Sequence, residues 1–515
     1  MSKSRQHYAF VATKWMTGSS YVTFVTSAVN SVIVTHALGP QRYGTYSYLV
    51  WMITFVVGLA SGGLNITAIR AISASIGKDA NAPSAEALAT FALLRRTLYK
   101  ILTLAAVALW VSTLFPRLYP ANLNAHLHAY MAFVLLCSAA KASYMFSVSA
   151  SKGFMVFETE AIGNMATGVA TPLLGLVLLY THQGLSAFLG LLGVSMLAQL
   201  GIARLIMYRR GLVAVPPVGA IDVPGRLGSL FRWNILLSLV SQFSPKSIDT
   251  YLLGYLSLTV AVGQYSIAAN LSRAGTDVLI AGFSAMLLPY LSRVQAEEGM
   301  ARVQDVFVAS ACVYQFVGLL IAGAGYLLAH FIILTLYGSA FSQAIQAFQV
   351  MSLAAGIGLP LGAYSAVLIA TDSVRLRMAY VVGMTLISLA SSLTLVPRLG
   401  YTGALISILL GGSLSYLFAI ILTRLVIGLR FPLRQVAAQW LCASSVLFAL
   451  TELVPRRTAA LSAIASTAAF GAAFAALSIN LGGWRPKDLQ AAARQSPVLS
   501  RLLDMLWLSG RTTRA

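Results

Sequence analysis

The chain has 515 residues, of which 58% are hydrophobic and only 10% are charged. A mean hydropathy of +0.80 excludes an ordinary soluble globular protein and indicates an all-α polytopic membrane protein. The net charge of +21 would suit a nucleic-acid-binding protein, but the basic residues lie at the ends of apolar runs, where membrane topology and anionic headgroups explain them better. We therefore expect no nucleic-acid partner.

Apolar windows of about 20 residues recur along the chain, and each is long enough to cross a hydrocarbon core of roughly 30 Å. Lys14 interrupts the first window, so we expect an uncleaved first helix and not a signal peptide. The windows predict about fourteen transmembrane helices. They lie at residues 9–38, 43–70, 93–115, 127–151, 157–181, 184–208, 229–256, 262–291, 305–333, 343–371, 374–396, 401–425, 433–453 and 458–480.

Lys and Arg residues are distributed unevenly over the loops between these spans. If the N-terminus is inside, most of them fall in predicted cytoplasmic segments, among them Arg95, Arg96, Arg209 and Arg210. Positive charge accumulates on the cytoplasmic side of membrane proteins. The distribution therefore predicts a multi-pass membrane protein with both termini in the cytoplasm.

A linker and a short repeat divide the predicted helices into two halves. The linker, 209–228, contains Val215-Pro216-Pro217-Val218-Gly219. Gly44-Thr45-Tyr46-Ser47 is matched by Gly263-Gln264-Tyr265-Ser266 six helices later, as in a parallel duplication of the kind found in transporters. The predicted domains are an N-terminal lobe, 1–208, the linker, a C-terminal lobe, 229–425, two further helices, 426–480, and an amphipathic cytoplasmic tail on the membrane surface, 481–515.

Two neighbouring predicted helices carry charged stripes. Lys246 and Asp249 share one face of the seventh helix with Ser238, Ser241, Gln242 and Pro245, and Asn270, Arg273 and Asp277 share one face of the eighth. An ionised side chain at bilayer depth costs about 3 kcal/mol or more unless it is paired or faces water. The stripes therefore indicate an internal polar cavity, with ion pairs that only hold the helices together as the alternative.

The first helix is also polar for a membrane span. Asn30 accompanies a row of Ser and Thr residues, which would line a cleft between the halves or simply let helices pack closely. Lys141 lies within the fourth span and would add positive charge to the cleft. Lys14 and Arg70 would also add positive charge to the cleft. However, both lie near the predicted cytoplasmic ends of their spans, where their side chains could instead extend to the lipid headgroups.

Prolines interrupt several predicted spans. A proline in a helix leaves a carbonyl without its donor and bends the axis. Such bends suit an alternating-access transporter and are also common in static bundles. The residues are Pro172, Pro245, Pro289 and Pro360.

The sequence lacks the patterns of enzyme chemistry. The six His residues are scattered, and His126 and His128 have no Cys or carboxylate beside them to complete a metal site. No phosphate-cradling Gly-x-x-x-x-Gly-Lys-Ser/Thr run is present, and no predicted outward loop is long enough to carry a catalytic site. We therefore expect a carrier without a cofactor or a metal, and not an enzyme.

Four stretches in order along the chain resemble the Wzx-type polysaccharide flippases of the multidrug/oligosaccharidyl-lipid/polysaccharide (MOP) exporter superfamily. They are Ala37 to Tyr46, Gly63 to Arg70, Asp249 to Asn270 and Leu336 to Phe341. The resemblance implies two six-helix lobes in a V around a central cationic cavity, with two extra C-terminal helices here. It also implies a flippase that moves an undecaprenyl-pyrophosphate-linked oligosaccharide repeat unit across the inner membrane for surface or exopolysaccharide synthesis.

For such a substrate we expect Lys246 and Arg273, with Lys141, Arg70 and Lys14, to bind the pyrophosphate through charge-assisted hydrogen bonds. Asn30, Gln242 and Asn270 would line the substrate cavity, where amide groups suit sugar. Asp249 and Asp277 would either orient these cations or take up the proton or cation that couples transport to an ion gradient. The expected partners are the lipid-linked substrate, membrane lipids, a polysaccharide polymerase and chain-length proteins.

Other functions remain open at this point. They are a flippase for the peptidoglycan precursor lipid II, a drug or cation antiporter of the MATE type, a polysaccharide polymerase or ligase, and a structural subunit of an export complex. Basic residues in the cavity disfavour the antiporter, because such a carrier would use the carboxylates to bind a cation and would not need basic residues there. The lack of a sizeable outward loop disfavours the polymerase.

Overall fold

The computed structural model describes residues 3–75, 85–212, 224–256, 258–370, 374–453, 460–486 and 488. In these ranges every regular element is a helix, because a backbone in hydrocarbon has no water to bond and must satisfy its own N–H and C=O groups. The predicted all-α class is confirmed. The long helices are α1 (Lys3–Ser75), α2 (Ala85–Ser112), α3 (Leu127–Gly153), α4 (Glu158–Tyr180), α5 (Leu185–Arg209), α6 (Pro224–Gln242), α7 (Pro245–Tyr255), α8 (Thr259–Leu336), α9 (Gln343–Gly358), α10 (Leu361–Ala370), α11 (Val374–Val426), α12 (Leu433–Leu453) and α13 (Ala460–Asn480).

Three of these helices are two membrane spans joined at a glycine. Gly39 (φ 65°), Gly299 (φ 77°) and Gly400 (φ 58°) leave helical geometry inside α1, α8 and α11, a conformation that glycine adopts without a Cβ penalty. Conversely, α6 with α7 and α9 with α10 each form one span that is broken beside a proline. Counted in this way, the helices of the described residues follow the order of the predicted spans.

Nine described stretches are long and apolar enough to cross a membrane. Two of them, Tyr21–Ser73 with 53 residues and Leu376–Val426 with 51, are twice the length that one crossing needs and contain two spans each. The helix α2 is not among the nine. Arg95, Arg96 and Lys100 all lie within it.

The helices fall into two compact units, Met1–Gly263 and Gln264–Ala515. The first contains α1 to α7, with α1 packed against α2, α3, α4 and α6. The second contains most of α8 and all of α9 to α13. This boundary lies one span beyond the predicted linker, of which residues 213–223 are outside the described residues, and the lobe limits of 208 and 229 stay a prediction.

The last two helices pack on the second half of α8. Leu319 of α8 forms one buried cluster with Cys442 of α12 and with Phe470 and Phe474 of α13. Beyond α13, Trp484 donates a hydrogen bond from Nε1 to Ser478 Oγ at 2.9 Å. The predicted surface helix of the tail, from residue 489 onward, lies outside the described residues.

Candidate functional site

The glycine-rich part of α1 fixes the position of α6. Gly58 and Gly62 stand four residues apart, a spacing that lets membrane helices approach closely. Ser238 Oγ of α6 donates a hydrogen bond to Gly58 O at 3.4 Å. The amide of Gln242 packs directly over Gly58. Gln242, predicted to bind sugar, is therefore held against α1 at the end of α6.

The seventh span breaks between α6 and α7. Ser244 is extended (φ −66°, ψ 156°) and Pro245 is at the first turn of α7, because a proline disfavours the helical conformation of the residue before it and donates no N–H. Helix α7 then starts with a bond from Ile248 N to Ser244 O at 3.1 Å. The single helical face predicted from Ser238 to Asp249 is therefore wrong: Ser238, Ser241 and Gln242 lie on α6, whereas Pro245, Lys246 and Asp249 lie on α7.

Helix α7 packs its aromatic side against α1. The rings of Tyr251 and Trp51 are 6.0 Å apart, and Gly254 lies against Tyr48. In this setting Asp249 is fully buried, at 0% exposure, whereas Lys246 is partly exposed. A carboxylate and an ammonium group one helical turn apart thus differ sharply in burial.

Lys141 is part of a polar chain that crosses three helices of the first unit. Its Nζ donates to Gln199 Oε1 of α5 at 2.7 Å, and Gln199 Nε2 donates to Thr167 Oγ1 of α4 at 2.9 Å. The ammonium group also lies 4.9 Å from the centre of the Tyr144 ring, within cation–π range. Tyr144 OH in turn donates to Asn164 Oδ1 at 2.8 Å.

This hydrogen-bonded network of side chains orients the Lys141 ammonium group without a carboxylate of the described residues in contact with it. In the part of the chain that the structure describes, no carboxylate lies within ion-pair distance of Lys141. The acids nearest in sequence on α4 are already paired, Glu160 with Lys152 at 2.7 Å and Glu158 with Arg210 at 2.6 Å. Lys141 therefore presents an ammonium group fixed by a neutral amide, which suits the binding of an anion.

Asn30 lies where the first half of α1 packs on α4. A Cβ on Gly175 would lie 3.7 Å from Asn30 Oδ1. The nearby Thr26 donates a hydrogen bond from Oγ1 to Val22 O at 2.8 Å. This part of the polar row serves helix packing. However, Asn30 Oδ1 is buried and accepts no hydrogen bond from the described residues, and such a group costs roughly 1–3 kcal/mol. It offers an acceptor to a ligand hydroxyl.

The other predicted site residues are less defined. Arg70 is exposed near the end of α1. Asn270 and Arg273 are exposed on α8 and belong to the second unit. The side chains of Lys14 and Asp277 lie outside the described residues, and the roles of all these residues stay predictions.

Sequence reasoning missed the partners of Lys141. Gln199 stands alone as an amide inside an otherwise apolar span, and a polar side chain at that depth is a signal that it bonds another helix. Helical spacing could not show that Gln199 bonds Lys141, because the two residues are 58 positions apart in the sequence. Only the packing of α3 on α5 brings them together.

Several solved structures share this fold at low sequence identity. The "Lipid II flippase MurJ, inward closed conformation" matches over 90% of this chain and 98% of its own, with a TM-score of 0.69 and 13% identity. An inward-facing multidrug resistance MATE family transporter of the MOP superfamily matches over 79% and 94%, with a TM-score of 0.58 and 15% identity. A MOP superfamily transporter from Pyrococcus furiosus, described as having a binding pocket of reverse polarity, matches over 82% and 95%, with a TM-score of 0.53 and 14% identity.

These likenesses establish the fold of a multi-pass membrane transporter. No curated protein has a sequence that matches this chain. The sequence model of the family described as "Polysaccharide biosynthesis protein" matches residues 12–295, which is more than half of the 515 residues. The match confirms the resemblance seen in the motifs, and the chain belongs to this polysaccharide biosynthesis family.

Proposed function

We propose that the protein is a flippase for an undecaprenyl-pyrophosphate-linked oligosaccharide, the repeat unit of a surface or exopolysaccharide. Membership of the polysaccharide biosynthesis family and the transporter fold support this proposal. The protein would act in the inner membrane of a bacterium, with both termini in the cytoplasm, by alternating access. A polymerase and chain-length proteins would then use the exported unit.

Lys141 is the residue that most directly supports an anionic substrate. A cation in a membrane helix is costly and is usually paired or functional, and this one is held by the neutral amide of Gln199 at 2.7 Å. A pyrophosphate would supply the missing negative charge through charge-assisted hydrogen bonds. Lys246, Arg273, Arg70 and Lys14 are proposed as further ligands of the same group.

The sugar and the driving ion need other side chains. Asn30, with its buried and unsatisfied Oδ1, is proposed to accept from a sugar hydroxyl, and Gln242 and Asn270 to bind sugar in the same way. Asp249, at 0% exposure, and Asp277 are proposed to take up the coupling proton or cation. A carboxylate can take up and release a proton or a cation, which is what coupling requires.

Lipid II is the second candidate substrate, because the match to the lipid II flippase MurJ spans 90% of this chain. It carries the same type of lipid pyrophosphate, so the cationic residues fit both substrates. A cation antiporter fits them less well, because basic residues repel a cationic substrate.

Charge removal in cells tests the proposal. In cells that depend on this chain, Lys141→Gln, Lys246→Gln and Arg273→Gln should each lower surface polysaccharide at least tenfold, and lipid-linked oligosaccharide should accumulate while the protein stays in the membrane. Lys100→Gln is the matched control, since it removes an exposed lysine of α2 that is outside the proposed site. Normal export in all three variants would refute the proposed site. Accumulation of lipid II instead of the oligosaccharide would identify the second candidate as the substrate.

A further inference from the structure

A second cationic feature contains none of the residues proposed for transport. An open-mouthed cavity of about 240 Å³ is lined by one face each of α2, α3 and α5 and by Leu212 just beyond α5. It lies at the end of the first unit where α2 begins and where α3 and α5 finish, which is the predicted cytoplasmic end. Its inner wall is apolar and includes the buried rings of Phe91 and Phe146.

Two arginines stand at the mouth of this cavity. Arg95 of α2 and Arg204 of α5 both line it and are both exposed. The Arg95 guanidinium lies 5.7 Å from the centre of the Phe91 ring, and Arg204 donates to Tyr99 OH at 3.2 Å. The aromatic groups therefore hold both guanidinium planes at the rim and leave most of their N–H donors available.

Neither guanidinium is neutralised. Among the described residues no carboxylate pairs with Arg95 or Arg204, whereas the nearby Lys152 and Arg210 each have a glutamate partner within 2.7 Å. Guanidinium groups bind phosphate through two parallel hydrogen bonds. The hydroxyls of Ser143 and Ser147 add polar groups to the same cavity.

We propose that this cavity binds the headgroup phosphate of an anionic phospholipid, with Arg95 and Arg204 as its ligands and the acyl chains along the apolar wall. Basic pockets between membrane helices on the cytoplasmic side are suited to anionic headgroups. At about 240 Å³ the cavity is smaller than the roughly 300–1,000 Å³ of pockets for drug-sized molecules. It accommodates a phosphate headgroup but not an oligosaccharide, so it is separate from the proposed transport site.

The bound lipid would clamp α2 to α5, because its phosphate bridges one arginine from each helix. The first unit should therefore be more stable in anionic than in zwitterionic lipid. This effect does not depend on the identity of the transported substrate.

Native mass spectrometry of the purified full-length chain with phosphatidylglycerol or phosphatidylcholine tests the site. Wild type should retain phosphatidylglycerol preferentially, and Arg95→Gln/Arg204→Gln should retain roughly tenfold less. Arg96→Gln/Arg209→Gln is the matched control, because it removes the same charge from the same two helices at exposed positions outside the cavity lining. Equal losses in the two double variants would overturn the proposal, as would equal retention of both lipids by wild type.

Two further measurements use the wild-type protein alone. A photoactivatable phosphatidylglycerol should crosslink to Tyr99 and Tyr208 at the cavity mouth, and crosslinks confined to other helices would overturn the assignment. Inorganic phosphate should neither displace the lipid nor raise the unfolding temperature as phosphatidylglycerol does. If it does both equally well, the cavity binds free anions and is not a lipid site.

Discussion

The substitution Gly63→Ala should push α6 away from α1. A Cβ at this position would lie 2.6 Å from Ile235 Cα and 2.7 Å from Ile235 N. Because both atoms belong to the α6 backbone, no side-chain rotation relieves the clash. Restoring an ordinary separation of 3.4 Å requires a shift of about 0.8 Å in α6.

The cost of this shift exceeds what alanine gains as a helix former. Overpacking costs about 1–3 kcal/mol, while replacing a helical glycine with alanine recovers roughly 0.5–1 kcal/mol. We expect Gly63→Ala to destabilise the first unit by about 1–2 kcal/mol, with a loss of roughly 2–4 °C in unfolding temperature for each kcal/mol. Transport should fall as well, since α6 positions Gln242 and leads into α7.

Thermal unfolding of the purified protein in detergent measures the effect, followed by the export assay in cells. The matched control is Gly201→Ala in α5, where a Cβ meets no atom within 4 Å, so that only the helix-propensity gain remains. Gly201→Ala should be neutral or slightly stabilising. Equal unfolding temperatures for Gly63→Ala and Gly201→Ala would refute the close contact between α1 and α6.

Three further predictions concern charged residues and the groups that orient them. Gln199→Leu should lower export about as much as Lys141→Gln, because it removes the group that orients the ammonium, and export in the double variant should be no lower than in Lys141→Gln alone. Asp277→Asn should change the dependence of export on the proton-motive force, measured with an uncoupler, and unchanged sensitivity would exclude its coupling role. Arg485→Gln should lower the stability of the second unit by about 2–3 kcal/mol in thermal unfolding, since Arg485 is only 16% exposed and bonds Asp305 and Asp488.

The control for Arg485 is an exposed pair in the same unit. Arg302 and Glu298 are 51% and 53% exposed, and surface pairs of this kind contribute no more than about 1 kcal/mol. Arg302→Gln should therefore leave the unfolding temperature nearly unchanged. Similar losses for Arg302→Gln and Arg485→Gln would contradict the role given to burial.

The membrane spans were predictable because hydrocarbon imposes a length and a composition that can be read locally. Gly39 and Gly400 separate spans where the hydropathy pattern placed a turn. The break before Pro245 was less accessible. A proline predicts a bend in a helix. The size of the bend here depends on Ser244, which adopts an extended conformation and not a helical one.

The sequence predicted which types of residue form the candidate site, but it did not predict which residues contact each other. Lys141 was recognised as a cation inside a span, yet its bond to Gln199 depends on how α3 meets α5. Asn30 was recognised as polar, but its position against Gly175 follows from close helix packing. The cavity beside Arg95 and Arg204 was not foreseen, because basic residues at a span end fit topology equally well.

Reconstitution of the purified protein tests the transport proposal most directly. Proteoliposomes would contain either undecaprenyl-pyrophosphate-linked oligosaccharide or lipid II, and a membrane-impermeant enzyme that acts on the lipid-linked sugar would report its arrival in the opposite leaflet. The account predicts that wild type moves the oligosaccharide lipid and that Lys141→Gln does not, while Lys100→Gln behaves as wild type. Equal movement by wild type and Lys141→Gln, or no movement of either lipid by wild type, would contradict it.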